Sequence, residues 1–238
     1  MPRFFKEFFE DAPFLDGEDH KHVSRSLRMR PGEKLTVSDT FGTDFECEIS
    51  SINEERVELK VISRHKNETE PSVAVTLFQC LPKGDKMDTI VRQAVESGAA
   101  RIVPVISANC ISRPDEKTLA KKTERWQKIS AEAAGQSGRG IIPAVEPCIT
   151  LSEAAKRIKD YDRCCFCYEL GGKPIEVLGK EIKTVSFIIG PEGGFTAAEA
   201  ELLEKNGAVT TTLGKRIFRA ETAPVAALAM IMLQSGNV

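Results

Sequence analysis

Apolar and polar positions alternate with a period of two in the first third of the chain and then give way to longer apolar runs separated by helical spacing. Residues 34–38, 45–49 and 57–62 read as short strands joined by turns, the pattern of a small barrel. Residues 63–72 hold almost no apolar side chain and carry Pro71 near their end, so they read as an inter-domain linker. Residues 73–78 are a near-continuous apolar run, as expected of a strand covered on both faces. Met87, Ile90, Val91, Ala94 and Val95 then recur at helical spacing, a strand follows at 101–106, and a long helix is expected over 116–136. A helix near 152–159 and strands at 164–168, 185–189 and 209–213 complete the pattern. Strands alternating with helices predict a mostly parallel sheet in a doubly wound α/β domain. The expected division is a β-barrel domain over 1–70 and an α/β domain over 73–238.

Two segments end an apolar run in the same way. Phe187-Ile188-Ile189-Gly190-Pro191-Glu192-Gly193-Gly194-Phe195-Thr196 passes through a turn into a helix start, and Leu213-Gly214-Lys215-Arg216-Ile217-Phe218-Arg219-Ala220-Glu221-Thr222-Ala223-Pro224 repeats the design. Adjacent glycines let a ligand touch backbone N–H and C=O groups. Thr196 with Glu199 three residues on forms a capping box, and Pro224 after an N-capping Thr222 favours the first turn of a final helix over 224–233. Side by side at the carboxyl edge of a sheet, such loops make the crevice where α/β folds bind ligands. The spacing fits neither a Walker loop nor a dinucleotide fingerprint, so a neutral adenine and ribose suit it better than a phosphate. Taken singly, the first loop reads equally as a tight strand-to-helix turn, and Arg219 with Glu221 as an ion pair at a helix start.

Composition narrows the classes. With 238 residues, 41% hydrophobic and 29% charged, the chain is an ordinary soluble globular protein of one large or two modest domains. No segment reaches a membrane-spanning length and the N-terminus lacks a secretory h-region, so no membrane partner and a cytoplasmic location are expected. Seven cysteines, mostly in apolar surroundings, fit reduced buried thiols. Cys164 and Cys167 form a CxxC, but inside a strand-like run and without a second ligand pair, so no metal is expected. A net charge of −2 leaves nucleic-acid affinity to local patches. The densest is residues 20–30, where His22, Arg25, Arg28 and Arg30 offer what a phosphate backbone requires, or else form a solvated helix face. Arg125, Lys128, Glu132 and Gln136 recur every three or four residues and form one polar helix face.

Together these segments resemble the SPOUT RNA methyltransferases, and among them the ribosomal RNA small subunit methyltransferase E family, which methylates N3 of a uridine in 16S ribosomal RNA. The likeness extends to Lys83-Gly84-Asp85-Lys86-Met87-Asp88, to Glu124-Arg125-Trp126, to Glu132-Ala133-Ala134-Gly135-Gln136-Ser137-Gly138-Arg139, and to His22-Val23 with Leu27-Arg28, nearly the whole chain. Phe218 and Ala220 stand where that family usually has leucine and threonine. The resemblance implies a trefoil-knotted α/β domain, a PUA-like β-barrel before it, a homodimer, the small ribosomal subunit as partner and S-adenosylmethionine as cofactor. It assigns cofactor contacts to Leu170, Ile189, Gly190, Pro191, Glu192, Gly194 and Phe195, and in the second loop to Leu213, Gly214, Ile217, Arg219 and Thr222. It makes Arg219 catalytic, stabilising the anion that develops on uracil, with Glu221 as base or as the orienter of Arg219. RNA contacts are implied at His22, Arg25, Arg28, Arg30, Arg125 and Arg139. Two other classes compete: a non-catalytic RNA-binding assembly factor with a degenerate methyltransferase domain, and a small-molecule α/β enzyme using a nucleotide. Intact glycine and arginine motifs oppose the first, and the missing phosphate fingerprint and attached barrel oppose the second.

Overall fold

A computed structural model describes residues 1–7, 9–176 and 181–238. They form two compact units, one of Met1–Glu70 with Ala134–Ile142, the other of Pro71–Ala133 with Pro143–Val238.

In the first unit, β1 (Arg3–Phe5) precedes β2 (Phe14–Asp16), α1 (Gly17–Lys21) and a π-helical turn (His22–Ser26), followed by β3 (Lys34–Ser38), β4 (Thr43–Ile52) and β5 (Arg56–Lys66). The sheet order is β1-β3-β4-β5-β2, with β1 parallel to β3 and the other pairs antiparallel. Alternation sets the register: Leu35, Val37, Phe45, Cys47, Ile49, Val57 and Leu59 all turn inward, and Phe4, Phe9 and Leu15 close the same core. β5 reaches Lys66, so the expected linker is strand for its first four residues. Ladder pairing of His65 with Asp44 and Lys66 with Thr43 holds that polar stretch without apolar side chains.

A polar network ties Ala134–Ile142 to this sheet. Glu70 accepts hydrogen bonds from Arg139 Nε at 3.2 Å and Nη2 at 2.6 Å, and from the Gly140 and Ile141 amides at 3.0 and 3.1 Å. Asn67 Nδ2 donates to Asp44 at 2.8 Å and to the Gly138 carbonyl at 3.1 Å, while both Arg3 guanidinium amines donate to Asp44 at 2.5 and 2.9 Å.

The second unit runs β6 (Ala74–Cys80), α2 (Lys86–Glu96), β7 (Arg101–Ile106), α3 (Glu116–Gln136), β8 (Ala144–Val145), β9 (Ile149–Thr150), α4 (Leu151–Arg157), β10 (Arg163–Cys167), β11 (Lys173–Pro174), β12 (Thr184–Ile189), α5 (Ala197–Lys205), β13 (Val209–Thr212) and α6 (Ala223–Gln234). Its sheet order is β11-β13-β10-β12-β6-β7-β8, with β9 also on β7, and every described pair is parallel. β6 and β12 are buried along nearly their whole length, which is why they read as unbroken apolar runs. The five apolar positions of α2 named above are all buried. Among the described residues no helix is long and apolar enough to cross a membrane.

Candidate active site

Parallel neighbours deliver their carboxyl ends to one edge, so the loops leaving β6, β10, β12 and β13 converge there. They enclose a cleft of about 460 Å³ within the second unit. Ile189, Gly190, Pro191, Glu192 and Gly194 line it from one loop, and Leu213, Gly214, Ile217 and Arg219 from the other.

Three residues that the resemblance assigns to the cofactor, Leu170, Phe195 and Thr222, are not among those lining the cleft. Phe195 is buried beneath the first loop: a Cβ on Gly190 would sit 3.2 Å from its ring, which itself meets Phe166 edge-on at 5.8 Å. It supports the loop rather than lining the cleft. Leu170 is 79% exposed, and Thr222 is exposed at the start of α6, where its side chain makes no capping hydrogen bond. The cleft instead adds Lys86, Tyr168, Glu169, Thr212, Arg216 and Phe218. Lys86 lies in a segment the sequence reading singled out, but its reach across the strand ends is set by the sheet order and carries no local signal.

The first loop is held from behind. Asn109, in the loop after β7, donates through Nδ2 to the carbonyls of Gly193 at 2.9 Å and Gly194 at 3.1 Å. The Ala108 amide donates to Glu199 at 2.7 Å, and the expected capping box of Thr196 and Glu199 starts α5. Gly194 sits at φ +62°, and a Cβ there would lie 2.0 Å from Glu169 Oε1. Only glycine lets that carboxylate stand where it does.

Charges are arranged around one ammonium. Lys86 Nζ lies 2.8 Å from Glu192 Oε1 and 3.2 Å from Glu221 Oε2, the second an ion pair without hydrogen-bond alignment. The Lys83 amide donates to the same Glu192 carboxylate at 3.2 Å. Burial alone would push the Glu192 carboxyl up, but Lys86 and the Lys83 amide outweigh it and hold it below the usual carboxylate range. Glu221 is held low by its own backbone amide and then by Lys86, whose ammonium is in turn stabilised by both carboxylates. Arg219 is exposed on the cleft wall; its carbonyl accepts from the Thr222 and Ala223 amides at 2.9 and 3.0 Å, and its guanidinium engages no hydrogen bond or ion pair among the described residues.

The residues assigned to RNA divide. His22, Arg25, Arg28 and Arg30 are all exposed on and after the π-helical turn of the first unit, with Arg28 at φ +53°. Arg125, 62% exposed, pairs with Asp88 of α2, which also accepts from Trp126 Nε1 at 3.0 Å. Arg139 is 4% exposed against Glu70 and braces its corner of the first unit, offering no open face to a phosphate. Cys164 and Cys167 lie on β10, where burial pushes both thiols up to about 12 and keeps them protonated.

A parallel sheet with its cleft at the strand ends, in a chain whose other unit is a small β domain, is the architecture of an RNA methyltransferase carrying a PUA domain. Residues 69–232 match the model of the RNA methyltransferase domain and residues 15–62 that of the RNA methyltransferase PUA domain. Ribosomal RNA small subunit methyltransferase E of Bacillus subtilis is 34% identical over 249 residues, covering 99% of this chain and 97% of that protein. Among solved structures, ribosomal RNA small subunit methyltransferase E of Neisseria gonorrhoeae, bound to S-adenosyl methionine, is similar with a TM-score of 0.88 and 32% identity over 98% of this chain and 97% of that one. A methyltransferase from Legionella pneumophila, in complex with bound SAM, has a TM-score of 0.87 and 27% identity over 98% and 97% of the two chains. The chain belongs to the ribosomal RNA small subunit methyltransferase E family. Its fold class is the expected one, a SPOUT-type α/β domain with a PUA-like domain before it.

Proposed function

We propose that this protein transfers a methyl group from S-adenosylmethionine to N3 of a uridine in the 16S ribosomal RNA of the small subunit. The observation that carries the reading is a guanidinium without a partner among the described residues, that of Arg219, on the wall of a cleft between two glycine loops. The cleft's own residues fit the cofactor. Its size suits a ligand of that class, Ile189, Leu213, Ile217 and Phe218 offer apolar surface for an adenine, and a Cβ on Gly214 would meet nothing within 4 Å, which leaves its backbone open to close approach. Glu169 and Glu192 on the cleft wall supply negative charge for a sulfonium. When bound, that group supplies a methyl already activated for in-line displacement.

The protein's task is then to place the acceptor and remove its proton. N3 of neutral uracil carries a hydrogen, so negative charge spreads to the uracil oxygens as the nitrogen attacks. Arg219 stabilises that charge, and Glu221, kept ionised beside Lys86, orients Arg219 or receives the proton. N3 lies on the pairing edge, so the base enters unpaired or flipped. His22, Arg25, Arg28 and Arg30 dock the RNA through phosphates.

Homodimerisation belongs to the same reading. Ala226, Ala229, Met230 and Leu233 recur at helical spacing on the accessible side of α6, and Leu233 is 70% exposed, so α6 carries an outward apolar face that a second copy covers. Work on a ribosomal substrate also fits a cytoplasmic location. The test is incubation of small subunits lacking the mark with methyl-labelled S-adenosylmethionine: label entering 16S ribosomal RNA supports the reading. Bound cofactor with unlabelled RNA would favour the non-catalytic assembly role.

A further inference from the structure

We infer that Lys86 is a positioning residue that sets the spacing of the two glycine loops, tying Glu192 of the first to Glu221 of the second through one ammonium. The inference rests on the methyltransferase reading of this cleft and adds to it a third element, the start of α2.

The loops need such a tie because of the sheet order. They leave β12 and β13, which are not neighbours; β10 lies between them, so no ladder hydrogen bond fixes one loop against the other. Among the described residues no hydrogen bond or ion pair runs directly between 190–196 and 213–222. Lys86 touches both, and its own base is rigid, since the next turns of α2 bury Met87, Ile90 and Val91. The contact is not an open surface pair: the three side chains are 32%, 32% and 27% exposed, and the Lys83 amide pins the same Glu192 carboxylate. Without the ammonium, two ionised carboxylates on opposite loops would face each other with nothing between them.

Two roles for Lys86 give different signatures. As a brace it acts on the width of the cleft, so its loss weakens every adenosyl ligand alike. As a mere source of positive charge it would oppose a sulfonium, and its loss would favour S-adenosylmethionine over S-adenosylhomocysteine, whose sulfur is neutral. The experiment uses the full-length protein and the Lys86→Met and Lys86→Arg variants, with calorimetric binding of both ligands and amide exchange of the ligand-free loops. Expected in Lys86→Met is a weakening of both ligands on the order of tenfold, by the same factor, with faster exchange at 190–196 and 213–222; Lys86→Arg restores most of both. Wild-type affinities and wild-type loop exchange in Lys86→Met would overturn the inference, as would a gain for S-adenosylmethionine alone. If the wild type binds neither ligand, the methyltransferase reading fails, while loop exchange in Lys86→Met still decides whether the brace exists.

Discussion

Gly194 combines a left-handed backbone, φ +62°, with a carboxylate oxygen where a methyl group would go. Alanine there meets backbone strain of about 1 kcal/mol and must displace Glu169. Gly194→Ala is expected to lower cofactor affinity by roughly tenfold, measured by calorimetry, with only a small shift in urea midpoint. Arg219→Ala is a different kind of loss. Among the described residues the guanidinium has no hydrogen-bond or ion-pair partner, so stability should be unchanged, while kcat falls by roughly a hundredfold or more. At this scale the sequence was informative where backbone demanded a residue type: the glycines and Pro191 announce the tight loop that lines the cleft. It was silent on Glu169 and on the partners of Lys86, because those meet through strands far apart in the chain. The same silence explains Arg139, whose enclosure depends on Glu70 reaching a segment about seventy residues away.

Among elements, β4 owes part of its anchorage to Asp44, 2% exposed and held by Arg3 and Asn67. Burial would raise its carboxyl, but the Arg3 and Asn67 hydrogen bonds prevail and its pKa is lowered. A lowered folded value means that its contribution is complete above the ordinary value near about 4 and is lost as pH falls through the folded value. Urea unfolding from about pH 6 to about pH 2 should show the first unit losing stability below the ordinary carboxylate range, with a flatter profile in Asp44→Asn. Element types were legible for the long elements of the α/β region because period and length separated helix from strand: α2, α3, β12 and the capping box of α5 stand where the pattern places them, while the two-residue strands β8, β9 and β11 are too short to leave a pattern. The end of β5 was not, since its last residues are held by backbone pairing and leave no apolar trace.

Across the whole molecule, a net charge of −2 means that RNA must be attracted by a local patch rather than by the overall field. The exposed turn with His22, Arg25, Arg28 and Arg30 is the patch proposed for that role. Arg25→Glu with Arg30→Glu should weaken ribosomal RNA binding, lower the slope of affinity against salt by about two, and leave cofactor affinity unchanged. A proportional fall in cofactor affinity would make the patch structural instead. The architecture was readable because a two-period barrel pattern and a parallel α/β pattern follow one another along the chain. The inclusion of Ala134–Ile142 in the first unit was hidden, since that tie is made of single polar contacts.

Methyl transfer to N3 of a uridine is the proposal on which the reading of the cleft stands or falls. Its most direct test is nucleoside mass spectrometry of small ribosomal subunits lacking the mark, after incubation with the protein and S-adenosylmethionine. Wild-type protein is expected to yield new 3-methyluridine, and Arg219→Ala only a small fraction of it in the same time. A different methylated nucleoside, or none although the cofactor binds, would contradict it.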